Sequence, residues 1–117
     1  MSYFRVKLRP TDKLFSAYIR RKGKCEICGR SDIKLEAAHY FGRRKENTRF
    51  DGRNTHVLCW TCHKKSHEDK SYYKNWLIKK YGQNWFNKLE LDSNVYKKRD
   101  DLADKLIIKE IIKRGDF

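Results

Sequence analysis

The sequence has no stretch approaching the ~20 apolar residues that cross a bilayer, and its start lacks the apolar core of a signal peptide. No basic amphipathic helix with a broad apolar face lies near either end, so a membrane surface is not the expected partner. Internal repeats, low-complexity tracts and Pro/Gly/Ser linkers are also missing, which leaves a single domain as the reading for 117 residues. The expected address is the cytoplasm. Acidic side chains are in short supply, 15 against 29 Lys+Arg, giving a formal charge of +14. The excess runs along the chain: +7 over residues 1–30, +3 over 31–70 and +4 over 71–117. Such a field points to a polyanionic partner and says little about fold. Hydrophobic and charged residues each make up 38%, so the core is modest and a structural metal would help to hold it.

What is present divides the chain into four parts. Residues 1–10 form a basic arm in which Phe4, Val6 and Leu8 alternate with Arg5, Lys7 and Arg9, the pattern of an extended strand. Pro10 ends it, Thr11 or Asp12 can cap a helix over 11–23, and Gly23 stops that helix. Residues 24–70 are turn-rich, with short strands expected around Ile33–Tyr40 and Thr55–Leu58 and an Arg-rich loop from Gly42 to Gly52 between them. Residues 71–117 return to a helical period. Tyr73, Leu77 and Tyr81 align, Trp85, Phe86 and Leu89 follow, and 95–114 carries a stripe of Leu102, Leu106, Ile107 and Ile111. The fold class expected is α+β, with helices on both sides of a metal-bound centre. The last stripe could pack on its own domain or on a second copy, as in a homodimer.

Cys25-Glu-Ile-Cys28 and Cys59-Trp-Thr-Cys62 contain every cysteine in the chain. A two-residue spacing lets one tight turn present two sulfurs to the same ion, and zinc takes four thiolates in a tetrahedron. A reducing compartment argues against two disulfides. With four protein ligands this zinc keeps no open position, so its expected role is structural.

His39 lies in the first strand, Asn54 five residues before Cys59, and His63 directly after Cys62. The run Asn54-Thr-His-Val-Leu-Cys-Trp-Thr-Cys-His63 resembles the HNH, or ββα-metal, nucleases, whose core follows a CxxC knuckle and a strand ending in His with Asn-x-x-x-Leu-Cys-x-x-Cys-His. Phosphodiester hydrolysis needs a deprotonated water and a cation beside the scissile phosphate. A neutral imidazole can take the water's proton, the role expected of His39, while His63 would hold a divalent ion, Mg²⁺ or Mn²⁺. Asn54, by the resemblance, would hydrogen-bond across the loop and orient His39. A longer similarity, from Asp12 to about Leu91, includes Ala-His-Tyr-Phe-Gly-Arg-Arg and Thr-Arg-Phe-Asp-Gly-Arg-Asn. It looks like phage HNH proteins of the NinG/Rap recombination type, and implies action on branched DNA such as Holliday junctions inside a bacterial host.

Many HNH nucleases carry Asp or His before the general base, and here that position is Ala38. The missing ligand could come from His67, one helical turn after His63, from DNA phosphate and water, or from Glu36 two residues earlier on the strand. Arg43, Arg44, Lys45, Arg49 and Arg53 crowd the loop where a phosphodiester would lie and are the expected DNA contacts, with little sequence preference. Arg5, Lys7, Arg9 and the cluster Arg20-Arg21-Lys22 form a second tier. Tyr72, Tyr73, Trp76, Trp85 and Phe86 are expected in the core, and His56 facing solvent or DNA. Two other readings stay open: a non-catalytic zinc-finger DNA-binding protein, favoured by Ala38, and an HNH nuclease that cuts ordinary duplex DNA.

Overall fold

Arg9 and Asp12 start the first helix together. The Arg9 backbone N–H donates to Asp12 Oδ2 at 2.7 Å, and Pro10 takes the first helical position, where a missing N–H costs nothing. A computed structural model describes residues 6–115. Their order is α1 (Pro10–Arg20), β1 (Leu35–His39), β2 (Thr55–Cys59), α2 (Trp60–Glu68), α3 (Lys70–Tyr81), α4 (Gln83–Ser93) and α5 (Asp101–Arg114), with one 3₁₀ turn at Glu46–Thr48. This is a mixed α+β chain, as its periodicities predict.

β1 and β2 form an antiparallel pair in the register Leu35↔Cys59, Ala37↔Val57 and His39↔Thr55. Side chains alternate between faces, so the sheet feeds two cores. Val57 packs with Phe15, Ile19 and Ile108 of α1 and α5. Ala38 and Leu58 pack with the cysteines and with Tyr73, Leu77 and Phe86 of α3 and α4. β2 is buried at every position, which lets five residues anchor both layers.

The stretch between α1 and β1 folds back on the sheet. Glu26 N–H donates to the Val57 carbonyl at 2.8 Å, and Glu26 Oε2 accepts the Val57 N–H at 2.6 Å. The first cysteine turn thus pairs with the side of β2 that β1 leaves uncovered.

Four expectations need correction. Residues 6–9 form no strand: the Lys7 carbonyl accepts from the Arg49 guanidinium at 3.3 Å, and Arg9 caps α1. Phe4 and Arg5 lie outside the described residues. The last helix begins at Asp101, where Asp100 Oδ1 accepts the Ala103 N–H at 3.0 Å. Its buried positions are Asp104 and Ile108, flanked by Ile111 and Ile112, whereas Leu102, Leu106 and Ile107 face outward. The stripe read from sequence was rotated because Asp104, polar on paper, turns inward to meet Lys97 at 3.3 Å. His56 is not solvent-facing. It is 2% exposed, its Nδ1 lies 2.7 Å from the Tyr73 hydroxyl, and Trp76 closes over it edge-on.

Candidate functional site

The four cysteines converge. Their sulfurs all lie within 4.8 Å of one another, with Cys28 Sγ and Cys59 Sγ 3.6 Å apart. A tetrahedral ion with ~2.3 Å bonds to sulfur places its ligands about 3.8 Å from one another, so the spacing fits zinc. The Cys28 N–H points at Cys25 Sγ (3.5 Å) and the Cys62 N–H at Cys59 Sγ (3.4 Å), so the leading sulfur of each turn accepts a backbone N–H. Burial pushes the Cys25 thiol up, but the backbone N–H groups of Cys28, Cys59 and Ile27 outweigh it and bring it down to about 7. Tyr72, half-buried, donates its hydroxyl to Cys62 Sγ at 3.4 Å.

The same knuckle launches α2. Cys59 caps the helix, so His63 falls in its opening turns with His67 one turn later on the same face. The two Nε2 atoms lie 3.1 Å apart. Glu36 reaches the other side of the first ring, with Oε1 3.1 Å from His63 Nδ1. A carboxylate can only accept, so Nδ1 carries the hydrogen and the His63 lone pair sits on Nε2, beside His67. Two imidazole nitrogens at this separation fit neighbouring ligands on one ion with ~2.0–2.1 Å bonds. His67 therefore flanks the lone-pair nitrogen of His63. Glu36 instead holds the ring from behind.

His39 lines a cleft of about 350 Å³ together with His63, His67, Gly42 and Lys70. Its Nε2 lies 3.1 Å from the carbonyl oxygen of Arg49. A carbonyl also only accepts, so Nε2 is the protonated nitrogen and Nδ1 holds the lone pair. Burial, reinforced by the Arg43 guanidinium, holds His39 down to about 4, which keeps it neutral at pH 7 with its lone pair free. Asn54, fully buried, accepts the Phe41 N–H at 2.8 Å and donates to the carbonyls of Phe41 (2.8 Å) and Thr48 (3.2 Å). It bridges the strand end just after His39 to the turn just before Arg49. The expected bond across the loop exists, though Asn54 acts on the backbone and not on the ring.

The loop cations are largely committed inside the protein. Arg49 is a correction to the expected DNA contacts: it is 2% exposed, with Nε and Nη2 on the Asp12 carboxylate at 2.9 and 2.5 Å and Nη1 on the Arg43 carbonyl. Arg53 meets Asp51 at 2.6 Å and Asp92 at 2.8 Å, and these carboxylates hold its guanidinium well above its usual range. Lys45 donates to Asn94. Arg9, from the second tier, forms a bidentate pair with Glu46 at 2.7 and 2.9 Å. Arg43 turns toward α1, 3.4 Å from Ser16 Oγ, and Arg44 is exposed. The partners Asp12 and Asp92 lie 37 and 39 residues away in sequence, and no local signal marks them.

Comparison with family models finds a match over residues 3–114 to the family described as Bacteriophage Lambda NinG protein. The chain belongs to that family. Comparisons with curated proteins and with solved structures gave no match. The match takes in nearly all of this chain, including both cysteine turns, His39, Asn54, His63 and His67. Among the described residues, no helix is long and apolar enough to cross a membrane.

Proposed function

We propose that this NinG-type protein is a metal-dependent DNA endonuclease with an HNH core, formed by β1, β2 and α2 around the zinc-binding cysteines. The observation that carries the reading is the pair His39 and His63 on one cleft, each with its tautomer set by an acceptor: the Arg49 carbonyl for His39 and Glu36 for His63. His39 Nδ1 takes the proton of the attacking water while Nε2–H stays on the carbonyl, so the ring does not rotate as it charges. His63 and His67 hold the divalent ion, Mg²⁺ or Mn²⁺, which when bound supplies positive charge to the phosphate and leaving oxygen. Asn54 keeps the loop closed against β1. The resemblance to phage recombination nucleases directs the substrate toward branched DNA, with Holliday junctions as the leading form.

The test compares nicking of supercoiled plasmid and cutting of a four-way junction, with Mg²⁺ and Mn²⁺, by the wild type and by His39→Ala. Loss of cutting in the folded, zinc-loaded variant supports the reading. Equal rates sink the assignment of His39 as base. Binding without cutting by the wild type would favour a zinc-dependent DNA-binding protein. Equal rates on linear duplex and junction would return the substrate to ordinary DNA.

A further inference from the structure

We infer that the groove between α1 and the open edge of β1 is the track along which a DNA sugar–phosphate backbone reaches His63. This rests on the reading of the chain as a protein that cuts DNA, and assigns a surface to which the Arg-rich loop contributes only Arg43. The groove has a volume of about 490 Å³ and ends at Glu36 and His63, so it abuts the cleft that holds His39.

Its walls are cationic. Lys13, Ser16 and Arg20 recur three and four residues apart, placing them on one face of α1. Lys34 lines the groove from the β1 side, 76% exposed on its side chain, and Arg43 lines it 3.4 Å from Ser16 Oγ. Lys13 and Arg20 are exposed and, among the described residues, have no carboxylate within ion-pair distance. Lys34 has only a loose contact with Glu36 at 3.9 Å. Two carboxylates line the groove and neither dominates its charge. Asp12 is 2% exposed and bound to Arg49, with Arg43 3.6 Å away, and Glu36 faces His63.

The backbone adds a donor. The Trp60 N–H bonds the Lys34 carbonyl and the Tyr40 N–H bonds the Asn54 carbonyl, so even-numbered residues of β1 face β2. In an antiparallel pair alternate residues point the other way. The Ala37 N–H therefore faces away from β2, and Ala37 lines the groove. Phosphate oxygens are met by such a mixture of backbone N–H, hydroxyl and Lys/Arg donors, which position the nucleic acid without reading its sequence. A free anion would need only one such point, whereas this set extends along the groove toward the cleft, as a polymer requires.

The test is equilibrium binding to a short fluorescein-labelled duplex by the zinc-loaded full chain, made cleavage-silent by His39→Ala, across a salt series. Lys13→Ala/Arg20→Ala/Lys34→Ala is compared with Lys105→Ala/Lys109→Ala on α5. The groove variant should bind about fivefold more weakly per cation at ~0.15 M salt, with the log–log salt slope smaller by about 0.9 per cation removed. The α5 variant should match the parent. Equal binding by the groove variant and the parent, or equal losses in both variants, overturns the inference. Cleavage with His39 intact is scored separately. A protein that binds through the groove but cuts nothing keeps the groove and loses the nuclease reading. Undiminished kcat/KM in the groove variant keeps the nuclease and removes the groove.

Discussion

Nε2 of His39 and the carbonyl oxygen of Arg49 are 3.1 Å apart, while the guanidinium of the same arginine is locked on Asp12 more than one helix away. The atom that orients the proposed base is thereby tied to a buried ion pair, and several consequences can be measured.

Asp12→Ala should destabilise the protein by about 3–5 kcal/mol, because it strands a buried guanidinium rather than merely deleting a contact. Both side chains of the pair are nearly inaccessible, at 2% and 1%. Urea unfolding at saturating zinc measures the loss. A change below about 1 kcal/mol would mean that Arg49 finds another partner.

The proposed base should cost its full catalytic effect when removed. His39→Ala should lower the cleavage rate by about 10²–10⁴ in protein that is folded and zinc-loaded. Since His39 is held down to about 4, wild-type cleavage should show no His39 titration between pH 6 and 8. A rate limb near pH 6.5 that vanishes in His39→Ala would contradict this.

Acid should weaken the fold through two histidines. Burial lowers His39 to about 4, and burial with Lys22 and Lys80 lowers His56 to about 3, both from 6.5. The unfolded chain therefore binds more protons below pH 6.5, and stability present above that pH is lost as the pH falls toward the folded values. Each histidine contributes a slope of about 1.4 kcal/mol per pH unit in that window. Unfolding followed from pH 7.5 to 5.5 with excess zinc should show it, and His56→Gln should remove about half. An unchanged slope in that variant would reject the assignment for His56.

Removing His67 or Glu36 should act on the metal more than on the fold. His67→Ala and Glu36→Gln should each raise the Mg²⁺ or Mn²⁺ concentration for half-maximal cutting by about 10–100-fold. A metal titration of plasmid nicking separates this from a uniform loss of rate. If only His67→Ala shifts the titration, Glu36 has no part in holding the ring.

The cysteine spacing and the His–Asn–His register were legible because each is local: two-residue turns and adjacent positions bring their own geometry. The helices after residue 70 followed from periodicity for the same reason. What sequence could not reveal was which charges are internal. Arg49 and Arg53 look like Arg43 and Arg44 on paper, and only the approach of Asp12 and Asp92 across 37 and 39 residues separates them. His56 was misplaced because its neighbours, Tyr73 and Trp76, arrive from α3. The face of α5 was misread because Asp104 is buried beside Lys97, a choice that apolar spacing cannot register.

The pairing of Glu26 with Val57 would give a zinc at the four cysteines a second task besides joining two turns. An unprotected strand edge is a template for another chain, and β2 is buried along its whole length, with Val57, Leu58 and Cys59 apolar. A metal held by the four cysteines would keep the first cysteine turn fastened along that edge. Chelation should therefore do more than loosen the domain: it should convert a monodisperse protein into one that self-associates through β2, at a rate rising with protein concentration.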